Sequence, residues 1–172
     1  NSFSGRAKIV GDVALSKDSI PNWVLRTNLE VETREKSFNP IEQYRPVEFD
    51  RDWNTRNKGY TGNQVASNVG FNFINERNGN LNVGAQHFII GGDYEGVRGS
   101  FKGGWNQKGF NGIWDASYLA SKATEKNEFI RHRSDFSQNI GWFKIGYKDD
   151  HELNKFSSDI LQTNSYQFFD YQ

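Results

Sequence analysis

From Phe110 the chain alternates. Phe110, Gly112, Trp114, Ala116, Tyr118 and Ala120 form one set of positions, and Asn111, Ile113, Asp115, Ser117, Leu119 and Ser121 the other. Successive side chains of an extended strand leave opposite faces, so this segment predicts a strand with one apolar side. Upstream, Val97, Gly99, Phe101, Gly103 and Trp105 alternate with Arg98, Ser100, Lys102, Gly104 and Asn106. Shorter runs of the same kind begin at Leu29 and Val69. A period of two in several separate runs predicts antiparallel strands whose two faces differ in polarity.

Turn chemistry divides these runs. "ERNGN" at Glu76–Asn80 contains Asn78-Gly79, a hairpin dipeptide that accepts positive φ at low cost. "GGDYEG" at Gly91–Gly96 and "NQKG" at Asn106–Gly109 predict two more tight links. "KATEKN" at Lys122–Asn127 and "YKDDHE" at Tyr147–Glu152 are expected to be longer, charged loops. Ser16–Trp23 and Phe38–Arg45 contain proline and polar clusters and are also read as loops. Strand and turn recur regularly from Gln64 to Phe156. The expected fold is all-β, with little helix: an antiparallel meander forming a strongly twisted sheet, a sandwich or a barrel. No domain boundary is visible, so residues 1–172 are expected to form one all-β domain. Ser117–His132 shows no apolar stripe that would make it a helix.

Composition refines this picture. Hydrophobic residues make up only 35% of the chain, yet aromatics reach 15%, far more than a disordered chain carries. Rings therefore supply much of the area available for burial. Lys plus Arg and Asp plus Glu are both 21, giving zero net charge and no basic stripe, so no nucleic-acid partner is expected. The chain has no Cys, which excludes disulfides, thiolate metal sites and cysteine nucleophiles. It also has no Met, so Asn1 is expected to mark a processed start or an excerpt of a longer chain.

One stretch concentrates candidate chemistry: "RPVEFDRDWN", Arg45–Asn54. Asp50, Asp52 and Asn54 fit the first three ligand positions of a calcium loop, but Thr55 and Thr61 stand where the loop needs Gly and Glu. Glu48 and Asp52 could act as paired glycosidase carboxylates, with Asp50 between them, if the stretch were a strand. The simpler reading is an amphipathic strand, with Val47, Phe49 and Trp53 on one face and Glu48, Asp50, Asp52 and Asn54 on the other. That reading predicts that Trp53 points away from Asp52. Trp53, Trp105 and Trp114 are candidate sugar platforms if exposed and core residues if packed inward. His87, His132 and His151 show no metal-binding spacing, and His87 is read as a core histidine. No phosphate loop, dinucleotide fingerprint or nucleophile elbow occurs, and no cofactor is expected.

The segments "FNPIEQYRPVEFDRDWN", "FIRHRSDFSQNIGWFKIGYKDDHELNKF" and "NSYQFFDYQ" resemble parts of very large, β-strand-rich, outer-membrane-associated proteins of Gram-negative bacteria. The resemblance spans most of the chain. It implies an excerpt of a cell-envelope protein and brings no catalytic residues. The partner is left open, with envelope proteins or glycans as candidates. The expected function is a non-enzymatic envelope β domain serving as scaffold or interaction surface. The alternative is a glycan-binding or glycan-hydrolysing module. A membrane barrel is also open. The faces Val97–Trp105 and Phe110–Ala120 suit lipid, whereas few other segments read as clearly, and the low hydrophobic content slightly favours a soluble curved sheet over a barrel.

Overall fold

The computed structural model describes residues 3–16, 23–38, 49, 52–53, 55, 60–156 and 161–171. Nine strands follow one another in sequence and in space: β1 (Ser4–Ala14), β2 (Val24–Arg34), β3 (Gln64–Asn75), β4 (Gly79–Ile90), β5 (Tyr94–Gln107), β6 (Phe110–Lys122), β7 (Lys126–Ile140), β8 (Phe143–Phe156) and β9 (Leu161–Tyr171). They form one antiparallel sheet in the order β1 to β9. The expected all-β meander is therefore the fold. It is a single open sheet: among the described residues β1 pairs only with β2, and β9 only with β8. The connections alternate between two ends. The turn end carries β1–β2, β3–β4, β5–β6 and β7–β8. The loop end carries β2–β3, β4–β5, β6–β7 and β8–β9.

The Asn78-Gly79 hairpin lies where its dipeptide predicts. Asn75 Oδ1 accepts from the Arg77 and Asn78 N–H groups at 3.1 and 2.9 Å, and Gly79 takes the positive φ of 142° that the turn requires. The β5–β6 link turns at Lys108 and Gly109, also as expected. Two loop expectations are corrected. "KATEKN" contributes only residues 123–125 to the connection. "YKDDHE" is no loop but lies inside β8. The reason is a charge ladder: Arg131, Arg133 and Asp135 of β7 stand opposite Glu152, Asp150 and Lys148. Arg131 meets Glu152 at 2.8 Å, and Lys148 meets Asp135 at 3.4 Å. Opposite charges across strands favour the extended pairing over a solvated loop. The β7–β8 turn sits instead at Gly141 and Trp142, where Gly141 adopts φ 61°.

The register divides the sheet into two faces. One carries Arg26, Glu30 and Arg34 of β2, Asn68 and Asn72 of β3, Arg98 and Lys102 of β5, and Asp115 of β6, as well as the β7–β8 ladder. The other carries Leu25, Leu29 and Val31 of β2, Val65, Val69 and Phe71 of β3, Leu81 and Val83 of β4, Val97 and Phe101 of β5, and Trp114 and Tyr118 of β6. This apolar face extends over more strands than the two or three that read clearly from sequence. Many of its side chains are exposed, Ile9, Leu29, Val97 and Tyr118 among them, and others such as Leu25, Val69 and Phe101 are half-buried, while the buried apolar side chains among the described residues are Trp53, Phe88, Ile90, Tyr94 and Leu119, all on or against the polar face. Soluble sheets normally do the reverse.

Candidate functional site

The described residues of the β2–β3 connection, Phe49, Trp53 and Tyr60 among them, lie on the polar face at the loop end. Its final residues are tied there: the Thr61 N–H donates to Asp93 Oδ2 at 3.0 Å, and the Gly91 N–H donates to the Asn63 carbonyl at 2.9 Å. Within it the Trp53 N–H donates to the Phe49 carbonyl at 3.0 Å, an i→i−4 bond that closes one helical turn. The strand reading is therefore corrected for Phe49, Asp52 and Trp53, the residues of Arg45–Asn54 that the structure describes. In a helical turn, residues three and four apart share a side, so Phe49, Asp52 and Trp53 project together. The spacing Phe49-x-x-Asp52-Trp53 is the sequence signal for this arrangement, and the surrounding alternation hides it.

Trp53 is 3% exposed. Its ring lies 5.3 Å from Phe88, and Phe49 meets Phe88 edge-on at 5.1 Å. Gly96 makes room for the indole: a Cβ there would stand 3.1 Å from Trp53 Cζ3. The Tyr94 hydroxyl donates to the Trp53 carbonyl at 2.6 Å. Tyr60 packs against Tyr94 with the rings tilted by 39° and their centroids 5.5 Å apart. Burial holds the Tyr60 hydroxyl above its ordinary value of 10.0, and the charge of Asp93 adds to the shift. Asp52 faces the same side of the sheet as Trp53, against expectation. Its carboxylate accepts from Arg98 Nη1 at 2.9 Å and lies 3.9 Å from Arg131 Nη1. The two arginines come from β5 and β7, so one carboxylate spans three strands.

This geometry decides what Asp52 can do. It is held between guanidinium groups as an anchor. Glu48, Asp50 and Asn54 lie outside the described residues. Among the described residues no group of three or more His, Cys, Asp or Glu could hold a metal ion.

Trp105 and Trp114 lie on the apolar face, 38% and 42% exposed. They are not core, and with Trp23, Phe110 and Phe136 they border a cleft of about 520 Å³ at the turn end. The residues around it are apolar except Asn80, so the cleft offers sugar hydroxyls few partners. Trp23 and Trp105 stack at 6.1 Å. The histidines follow the same face. His87 is half-buried, not core, and meets Glu95 Oε1 at 3.1 Å, because no described segment covers it. On β7 and β8, His132 Nδ1 meets Asp149 Oδ2 at 2.9 Å, a polar pair that interrupts the apolar surface.

No protein family, characterised protein or solved structure matches the chain at a significant level.

Proposed function

We propose that this chain is a non-enzymatic wall of a cell-envelope β-barrel of the outer-membrane type. Its apolar face meets lipid, and its polar face lines the interior. The observation that carries the reading is the inverted partition of the sheet. Arginines, carboxylates and amides occupy the face that a returning segment covers, while Leu, Val, Phe and Trp occupy the face left bare. In water such a face is an association hazard, whereas in a bilayer it is the required surface. The strands suit this role, since β1, the shortest class, has 11 residues and a tilted spanning strand needs about 9–11. Antiparallel strands joined by short turns at one end are the usual way such walls are built. The Phe49–Trp53 turn then lies inside the wall as a strut at the loop end.

The test is refolding from urea into phospholipid vesicles. The reading expects strand-rich circular dichroism, flotation with the vesicles and protection of the strands from protease. A chain that refolds equally well in buffer, stays monomeric and does not float would refute it.

A further inference from the structure

We infer that the cleft at the turn end of the apolar face is a binding site for an anionic phospholipid: one acyl chain in the cleft, the phosphate at Arg77 and Lys108. The inference rests on the proposed membrane reading and adds a specific ligand to it.

The cleft is a product of cross-strand pairing. Gly103 stands opposite Trp114, and Gly112 opposite Trp105, so each indole faces a position without a side chain. Phe110 and Phe136 flank Gly112, whose added Cβ would lie 2.9 Å from both rings. Gly103 is open by comparison, its nearest heavy atom being 3.7 Å from an added Cβ. The result is a trough floored by backbone and walled by rings, apolar apart from Asn80. Only a hydrocarbon chain loses nothing by entering it, because it has no polar group to leave unpaired.

The turn end supplies the charge. Arg77 lies in the β3–β4 turn and Lys108 in the β5–β6 turn, and the Asn106 N–H donates to the Asn78 carbonyl at 2.7 Å, which ties the two turns together. Neither cation has an ion-pair partner among the described residues. Glu76 precedes Arg77, so the local balance is one excess positive charge. Lys108 adopts φ 51°, the left-handed region that Asn or Gly would occupy at lower cost. A lysine held there against its backbone preference adds a cation at the turn end, beside Arg77 of the neighbouring turn. Basic residues beside an apolar lipid-facing surface are the arrangement that recognises anionic headgroups.

The experiment uses the chain in phosphatidylcholine vesicles and reads quenching of tryptophan fluorescence by lipids brominated on the acyl chain. A minor fraction of brominated phosphatidylglycerol should quench more than the same fraction of brominated phosphatidylcholine, with local enrichment on the order of tenfold. The double variant Arg77→Gln, Lys108→Gln should abolish the difference between the two lipids. Gly103→Leu, which fills the trough where space exists, should reduce quenching by both. Equal quenching by the two lipids in the unaltered chain would overturn the site while leaving the membrane wall standing. A difference that survives the double variant would equally overturn it. A chain that never enters the vesicles removes both the wall and the site.

Discussion

The Tyr94 hydroxyl donates to the Trp53 carbonyl at 2.6 Å, joining residues 41 positions apart. The bond is buried, and it closes the Phe49–Trp53 turn onto the sheet. Tyr94→Phe keeps the ring and leaves the carbonyl without its donor. The expected cost is about 1–3 kcal/mol, read as a lower unfolding midpoint with Trp53 emission shifted toward the red. An unchanged midpoint would mean that the bond does not hold the turn.

Asp52 between Arg98 and Arg131 is the second anchor. Asp52→Asn leaves two partly buried guanidinium groups less well matched, at an expected cost of about 1.5–3 kcal/mol. Arg98→Met in the Asp52→Asn background should cost less than the two single changes added, because the pair is coupled. A double-mutant cycle that closes to zero would show the contact to be incidental.

Tyr60 adds a dependence on pH. Its folded value is raised above 10.0, chiefly by burial, so the neutral hydroxyl is the form that stabilises the segment. That contribution is complete below pH 10.0 and is lost as pH rises through the folded value. Tyr60→Phe should remove this alkaline loss while preserving the tilted ring contact with Tyr94. Parallel alkaline profiles of the two proteins would count against the assignment.

Trp23 and Trp105 form the third relationship worth testing. Trp23 lies one step past the last β2–β3 pair, Val24–Ile74, and the same row continues through Asn75 and Gly79 to Trp105. Three strand spacings separate the two backbones by about 14 Å, yet the ring centroids are 6.1 Å apart, so the indoles lean over the two small positions between them. Asn75, beneath them, is 6% exposed. Trp23→Ala and Trp105→Ala should each destabilise the turn end, with a coupling energy of about 0.5–1.5 kcal/mol in a cycle.

Neighbouring positions on β4 separate the two faces. Val83 is on the apolar face and Asn82 on the polar one. Val83→Lys should impair insertion into vesicles by about 2–4 kcal/mol, whereas Asn82→Lys should be tolerated. Equal effects would mean that neither face is in contact with lipid.

Local chemistry in the sequence is enough to determine the meander. Asn78-Gly79 accepts the positive φ of its turn whatever lies nearby, and the alternation from Phe110 to Ala120 assigns each side chain a face through backbone geometry alone. Two segments required the tertiary structure. Tyr147–Glu152 looks like a loop because its charges are read one at a time, and it becomes a strand only beside Arg131, Arg133 and Asp135, which lie well over ten positions earlier in the chain than the residues they face. Phe49, Asp52 and Trp53 look like parts of a strand because short alternations fit two periods. What selects the helical turn is distant: the space over Gly96, the Tyr94 hydroxyl and the arginines of β5 and β7. Alternation separates a polar face from an apolar one but does not say which is covered. That depends on where the β2–β3 connection returns, and it returns to the face that holds Gly96, Arg98 and Arg131, because these offer its rings a seat and its carboxylate a charge.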